Sequence, residues 1–155
     1  MSSFTPLPTS NDIHEIIQAT FDTDLAVAGS WGYTKENPTI IEATPEGMPL
    51  AQLQHMLTTI RAQLEMNLTQ EQKNRYGGIN ANERTREESR SENTLYEKVT
   101  YEVTAMKEDL YTAIIKEYKE GYGKEDFDLN THFKKRKEAT LTRVVDHYFD
   151  VSALQ

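Results

Sequence analysis

The side chains best suited to chemistry are the four histidines, at positions 14, 55, 132 and 147. Imidazole is a common zinc ligand, and a catalytic zinc site uses three protein ligands while one position stays open for water. The histidine spacing matches no helical metal motif, since neither His-x-x-x-His nor Glu-x-x-His occurs. A metal-dependent enzyme that brings together His55, His132 and His147 in a helical bundle is therefore an alternative, and our main expectation is no cofactor.

Other catalytic motifs are incomplete. Residues 29–32 (Gly-Ser-Trp-Gly) lack the glycine spacing of a nucleophile elbow, and residues 77–78 (Gly-Gly) are followed by no Walker lysine. The sequence contains no cysteine, which excludes thiol catalysis, zinc–thiolate sites and disulfides. The residues identify no catalytic group, so the sequence favours a non-catalytic protein.

One basic run is present, at residues 134–137 (Lys-Lys-Arg-Lys). Consecutive residues on a helix point in different directions, so this run makes no single basic face. The whole chain has a formal net charge of −8, which disfavours general binding to phosphate backbones. We interpret the run as solvated surface and expect no nucleic-acid partner.

Large aromatic side chains are candidates for contacts between proteins. Tyrosine covers apolar surface with its ring and keeps its hydroxyl in contact with water, a combination that is frequent at interfaces. The interface candidates are Trp31, Tyr96, Tyr101, Tyr111 and Tyr118.

Two helical segments are predicted to position these residues. Residues 50–68 carry only two charged side chains and repeat leucine or isoleucine every three or four residues, which predicts a central helix covered on two sides. Residues 69–72 (Thr-Gln-Glu-Gln) then resemble a capping box. Residues 82–122 mix charges with apolar residues at helical spacing and predict one long helix, with disorder as the alternative for residues 80–93, which have almost no large apolar side chain. From Asn82 to Glu120 it would be about 58 Å long, so part of it would project or pair with another subunit.

A β-hairpin is predicted between the first two helices, over about residues 25–43. Large and small side chains alternate from Leu25 to Tyr33, which is the period of a strand. Residues 35–38 (Lys-Glu-Asn-Pro) supply turn chemistry, and residues 39–43 can form the returning strand.

Two further helices complete the predicted fold. The first begins at Ser10 or Asn11, whose side chains can cap it. The last begins at Asp128 or Asn130 and buries apolar side chains as far as Tyr148. The start of the chain lacks the charged and apolar segments of a secretory signal, and no apolar run approaches 18 residues. We therefore expect no membrane contact and a location in the cytoplasm.

These patterns together predict a mainly α, four-helix bundle-like domain with one long helix and a small β-hairpin inserted between helices 1 and 2. The single helical domain spans residues 10–150, between a flexible tail at 1–9 and a frayed tail at 151–155. We expect a small acidic cytoplasmic protein that acts through protein–protein interaction, as a homodimer. Besides the metal-dependent enzyme, the other alternative is a chaperone-like accessory protein for a secreted partner.

Overall fold

The described part of the chain forms helices packed on a mixed β-sheet. The computed structural model describes residues 7–8, 12–68, 76–124 and 127–154. In chain order the elements are α1 (Ile13–Phe21), β1 (Val27–Gly29), β2 (Thr39–Ile41), α2 (Leu50–Gln63), β3 (Tyr76–Ser91), β4 (Thr94–Lys107), α3 (Glu108–Gly121), α4 (Leu129–Ala139) and β5 (Leu141–Asp150). A π-helical turn, Leu64–Leu68, continues α2, and a 3₁₀ turn, Ser152–Leu154, follows β5.

The predicted mainly α fold is wrong, because these residues contain a five-stranded sheet in the order β1-β2-β5-β4-β3. The predicted long helix over residues 82–122 is instead most of β3, all of β4, and α3. In β4 the side chains of Leu95, Val99, Tyr101 and Val103 are buried at even spacing, which is the period of a strand. Without the long helix, the argument that a 58 Å helix needs a partner also fails.

The last predicted helix is correct only in its first half. Asp128 caps α4 as predicted, since its side chain accepts a hydrogen bond from the Thr131 amide at 3.1 Å. The chain then leaves the helix at Thr140 and forms β5, which is rich in β-branched and aromatic residues. β5 lies between β2 and β4, so the segment read as helical is the middle strand of the sheet.

The first two strands join the sheet through β2. β1 and β2 pair antiparallel, with Val27 opposite Ile41, inside the segment where a hairpin was predicted. β2 then runs parallel to β5, with Thr39 opposite Phe149, and β5 runs antiparallel to β4. This pairing brings the end of β5 against the loop between β1 and β2.

The apolar core lies between the sheet and the helices α1 and α2. α2 contributes a buried stripe made of Leu53, Leu57 and Ile60, and α1 contributes Ile13 and Ile17. Each fully buried side chain of this size stabilises the fold by roughly 1.5–3 kcal/mol. The leucine and isoleucine spacing from which a central α2 was predicted corresponds to this buried stripe.

Both predicted tails contain residues that pack on the core. Leu7 is buried and its amide donates to the Tyr33 hydroxyl at 3.0 Å, whereas residues 1–6 and 9 lie outside the described residues. Val151 is buried, and the Ser152 hydroxyl accepts from the Leu95 amide at 2.8 Å. The predicted capping box at 69–72 also lies outside the described residues. No helix in the described ranges is both long and apolar enough to cross a membrane.

Candidate functional site

One face of α2 and its π-helical turn carries four polar residues towards the sheet. They are Gln54, Thr58, Arg61 and Glu65, and their spacings of four, three and four place them on one side of the helix. All four are buried. Because polar and charged side chains are rarely buried without partners, each should be held by a group on the strands. We call these four residues the polar row.

Gln54 begins the row and connects it to the hairpin of β3 and β4. Its amide nitrogen donates to Glu97 Oε1 at 2.8 Å, and its oxygen accepts from Arg86 Nη1 at 2.6 Å. Arg86 also donates to Glu97 Oε1 at 3.2 Å and to Glu83 Oε1 at 2.6 Å. Arg86 and Glu83 are partly exposed, so the network reaches solvent at this end.

His147 on β5 is bonded to the middle of the row. Its Nε2 lies 2.8 Å from Thr39 Oγ1, and its Nδ1 lies 2.9 Å from Thr58 Oγ1. The Thr39 hydroxyl donates its proton to the Ser30 carbonyl at 2.8 Å, so its oxygen accepts from the imidazole. The proton therefore sits on Nε2, and Nδ1 accepts from the Thr58 hydroxyl.

This geometry fits a neutral imidazole. Burial lowers the pKa of His147 well below 6.5, and the positive charge of Arg61 acts in the same direction. The ring stacks on Phe149 with centroids 4.1 Å apart. Since two hydroxyls occupy both ring nitrogens, neither nitrogen is left for a metal ion.

The Tyr101 hydroxyl is a buried polar group beside the row. No hydrogen bond to it is present among the described residues, and the Thr58 hydroxyl is the polar group that acts on it most. Burial raises the pKa of Tyr101 to about 12, and the Thr58 hydroxyl opposes this shift in part. An unsatisfied buried hydroxyl costs roughly 1–3 kcal/mol, which offsets part of the stability gained by burying the ring.

Arg61 holds the loop after β1 and the strand β5. Its Nη1 donates to the Trp31 carbonyl at 3.2 Å, and its Nη2 donates to the Asp146 carbonyl at 2.9 Å. The guanidinium lies 4.6 Å from the centroid of the Tyr33 ring, which adds a cation–π contact. Burial lowers the pKa of Arg61, and the carboxylate of Glu65 opposes that shift.

Glu65 closes the row at its second end. It accepts hydrogen bonds from the Tyr33 hydroxyl and from Arg143 Nη1, the latter at 3.2 Å. Burial and this carboxylate together raise the pKa of Tyr33, so the phenol stays protonated. Arg143 is partly exposed, so the network meets solvent here as well. The row thus runs through the interior with its members bonded to neighbouring groups, and it fastens α2 to the sheet.

The three histidines of the predicted metal site lie apart from one another. His55 Nε2 is 2.6 Å from the Ala81 carbonyl, and His132 Nδ1 is 3.4 Å from Glu117 Oε1. His147 is enclosed by the two threonines described above. Among the residues that the structure describes, no three His, Asp or Glu side chains are placed to hold one metal ion.

Two of the five aromatic interface candidates belong to the core. Trp31 and Tyr101 are buried, and Tyr101 lies beside the polar row. Tyr96 is partly exposed on β4, where the ammonium of Lys35 lies 4.9 Å from the ring centroid.

The other two candidates lie on α3 and are half-buried. The Tyr111 ring packs closely over the backbone of residues 77–78. The Tyr118 ring lies 5.4 Å from both the Tyr122 and His132 rings, so it joins α3 to α4. Tyr111 therefore joins α3 to β3, and Tyr118 joins α3 to α4.

Exposed apolar side chains concentrate on the hairpin formed by α3 and α4. Among the described residues six large apolar side chains are exposed, and four of them belong to this hairpin or directly follow α3. They are Leu110 (46% exposed), Tyr122 (69%), Leu129 (41%) and Phe133 (48%). We call these four residues the α3–α4 surface.

Sequence reasoning missed both features. The spacing of the polar row can be read from the sequence, but polar residues on one helical face usually mark the solvated side. The α3–α4 surface was hidden because α3 was merged into one long helix. Comparison of the chain with protein-family models, with curated proteins and with solved structures found no match.

Proposed function

We propose that this chain is a non-catalytic protein that acts by binding another protein through the α3–α4 surface. The observation that carries this proposal is the concentration of exposed apolar side chains there, four of six among the described residues. Exposed apolar patches on a folded protein are typical of interaction sites. The polar row gives less support for catalysis, because its members are already bonded to neighbouring groups.

A second copy of the chain is the partner that we favour. Asp128 lies at the start of α4, and the basic run 134–137 lies in its last turns. In an antiparallel pair of α4 helices, each acidic start lies within about one turn of the partner's basic run. Leu129 and Phe133 from both copies would then meet at a two-fold axis, as an isologous contact requires.

Site-specific cross-linking tests the dimer. The natural sequence has no cysteine, so Phe133→Cys introduces a single thiol next to the predicted axis. A short bismaleimide should convert this variant into covalent dimers at micromolar concentration. The matched control is Val144→Cys, a 62% exposed position on β5, which should stay monomeric. Equal cross-linking of both variants, or of neither, would remove the dimer proposal.

A pull-down separates the dimer from the wider proposal. Wild type, the double variant Leu129→Ser with Phe133→Ser, and the control Val144→Ser are compared as baits in the organism's own extract. The proposal requires a protein that wild type and the control retain and the double variant loses. If that protein is a different chain, the α3–α4 surface stands as a binding site while the dimer does not.

We propose the cytoplasm as the location, supported by the absence of cysteine.

A further inference from the structure

A separate cavity lies where α4 meets the sheet. Its volume is about 280 Å³, and residues from β3, β4, α3 and α4 line it. The polar side chains around it are those of Asn80, Thr104, Tyr111, Arg136 and Thr140. No carboxylate is among the described residues that line it. We call it the Arg136 pocket.

Arg136 differs from other arginines in the described ranges. Arg84 and Arg86 bind glutamates, Arg143 binds Glu65, and Arg61 donates to backbone carbonyls. The guanidinium of Arg136 has no hydrogen-bond acceptor or carboxylate among the described residues, although the side chain is only partly exposed. Five N–H donors held at a cavity wall without an acceptor are a site that an oxyanion can satisfy.

The other polar groups add donors to the same space. Asn80 Oδ1 accepts from the Ala81 amide at 2.9 Å, which leaves the Asn80 amide nitrogen as a donor. Thr104 and Tyr111 also line the cavity, and each carries a hydroxyl that can donate a hydrogen bond. The Thr140 hydroxyl donates to the Arg136 carbonyl at 2.7 Å and so fixes the end of α4.

The surrounding charge favours an anion. Lys134 and Lys137 lie on the same two turns of α4 and raise the local potential on an otherwise acidic chain, whereas Lys135 pairs with Glu117 at 2.8 Å. A guanidinium from α4 together with neutral donors from β3, β4 and α3 suits a tetrahedral oxyanion better than a single planar carboxylate. The volume is just below the usual range of ligand sites, about 300–1,000 Å³, so the ligand is small.

We propose that the Arg136 pocket binds the phosphate group of a small phosphorylated ligand. The guanidinium would hold two of the phosphate oxygens, and Asn80, Thr104 and Tyr111 would donate to the others. Arg136 follows Leu129 by seven residues and Phe133 by three, so the pocket borders the side of α4 that carries the proposed protein contact. None of the four residues of the α3–α4 surface lines the pocket.

Thermal unfolding with inorganic phosphate as the probe tests the pocket. Phosphate should raise the Tm of the wild-type protein in a saturable way, relative to sodium chloride at equal ionic strength. Arg136→Gln should weaken the apparent affinity at least tenfold. The control Lys137→Gln makes the same charge change at the neighbouring residue, which does not line the pocket, and should keep the response. Thr104→Val should weaken binding without changing the net charge.

Three outcomes would overturn the assignment. Wild type could show no saturable response to millimolar phosphate. Lys137→Gln could lose the response as fully as Arg136→Gln, which would show diffuse attraction to the basic run. Acetate could act as strongly as phosphate, which would exclude selection for a tetrahedral ion. If Arg136→Gln does not fold, as judged by circular dichroism, Thr104→Val decides the question.

Discussion

The polar row and the α3–α4 surface depart in opposite ways from the usual distribution of polar and apolar side chains. The row places charged and polar groups in the interior, where strands supply a partner to its members. The α3–α4 surface places apolar groups in solvent, where the described part of the chain does not cover them. Buried polar groups are costly unless satisfied, and exposed apolar groups are costly unless a partner covers them. The row therefore contributes to folding, and we propose that the surface serves recognition.

The largest expected effect comes from breaking the row at Arg61. Arg61→Met keeps most of the packed hydrocarbon but removes the donors to the Trp31 and Asp146 carbonyls and weakens the field around Glu65. Breaking a buried charged contact in this way costs about 3–5 kcal/mol. Urea denaturation should show a loss of that size.

Arg84→Met is the matched control for this change. Arg84 pairs with Glu102 at an exposed position, and exposed ion pairs contribute roughly 0–1 kcal/mol. If both variants lost the same amount, the row would not be the part of the molecule that holds α2 on the sheet.

The next effect tests how tightly the loop after β1 packs on His147. Gly32 has φ +75°, and a Cβ atom there would lie 2.4 Å from His147 Cδ2 and 2.5 Å from the Tyr148 carbonyl oxygen. Gly47 has φ +78°, but a Cβ atom added at this residue would have no other atom within 4 Å. Both Gly→Ala changes carry the cost of a left-handed backbone, roughly 1–2 kcal/mol.

The difference in unfolding free energy between Gly32→Ala and Gly47→Ala measures the cost of crowding His147 and the Tyr148 carbonyl. Gly32→Ala should lose about 1–3 kcal/mol more than Gly47→Ala, because only the first overfills a packed site. Chemical denaturation of both proteins measures this directly. Equal losses would mean that His147 can move away and that the row is loosely packed at its centre.

Acid should weaken the interior through His147. Its folded pKa is lowered, so the unfolded chain binds the proton more tightly and stability falls as pH drops below about 6.5. One such group contributes a slope of about 1.4 kcal/mol per pH unit until its folded pKa is reached. The stability difference between wild type and His147→Asn should therefore shrink as pH falls from 7 to 5. A constant difference would contradict the buried neutral imidazole.

His14, at the surface, should change the stability with pH in the opposite direction to His147. Its hydrogen bond to Asp24 raises its pKa, as do the charges of Asp24, Asp12 and Glu42. The stability that it contributes is therefore fully present below the unfolded pKa and is lost as pH rises through the folded pKa. The stability difference between wild type and His14→Gln should grow on acidification, whereas that of His147→Asn shrinks. The effect should be small, because His14 is exposed to solvent screening.

The fold was only partly predictable, and the hairpin of β3 and β4 shows why. Glu97 occupies an inward position of β4, where it pairs with Gln54, so the apolar alternation that marks a strand is interrupted. The two-residue turn at residues 92–93 contains no glycine, although Glu92 has φ +56°. The β-branched and aromatic content of residues 94–104 favoured a strand. The spacing of their apolar residues by three and four favoured a helix, and a helix was predicted.

The candidate sites were less accessible still. The helical spacing of the polar row is visible in the sequence, but its burial depends on Glu97, His147 and Arg143, which come from strands that were misread as helices. The capping role of Asp128 is local, and Asp128 was one of the two caps that the sequence predicted. Interactions between residues close in the sequence can thus be predicted from it. The pairing of distant segments decides which polar groups are buried.

The smallest effect on stability should come from the α3–α4 surface. Replacing Leu129 and Phe133 together by serine removes side chains that are 41% and 48% exposed, so unfolding should change by about 0.5 kcal/mol or less per site. Leu53→Ala, at a fully buried site on α2, should cost about 2–5 kcal/mol. Light scattering and urea denaturation on the same samples separate the two roles, because the serine variant should lose only self-association. A large loss of stability in that variant would show that Leu129 and Phe133 pack within one chain, and the contrast between a folding interior and a recognition surface would fail.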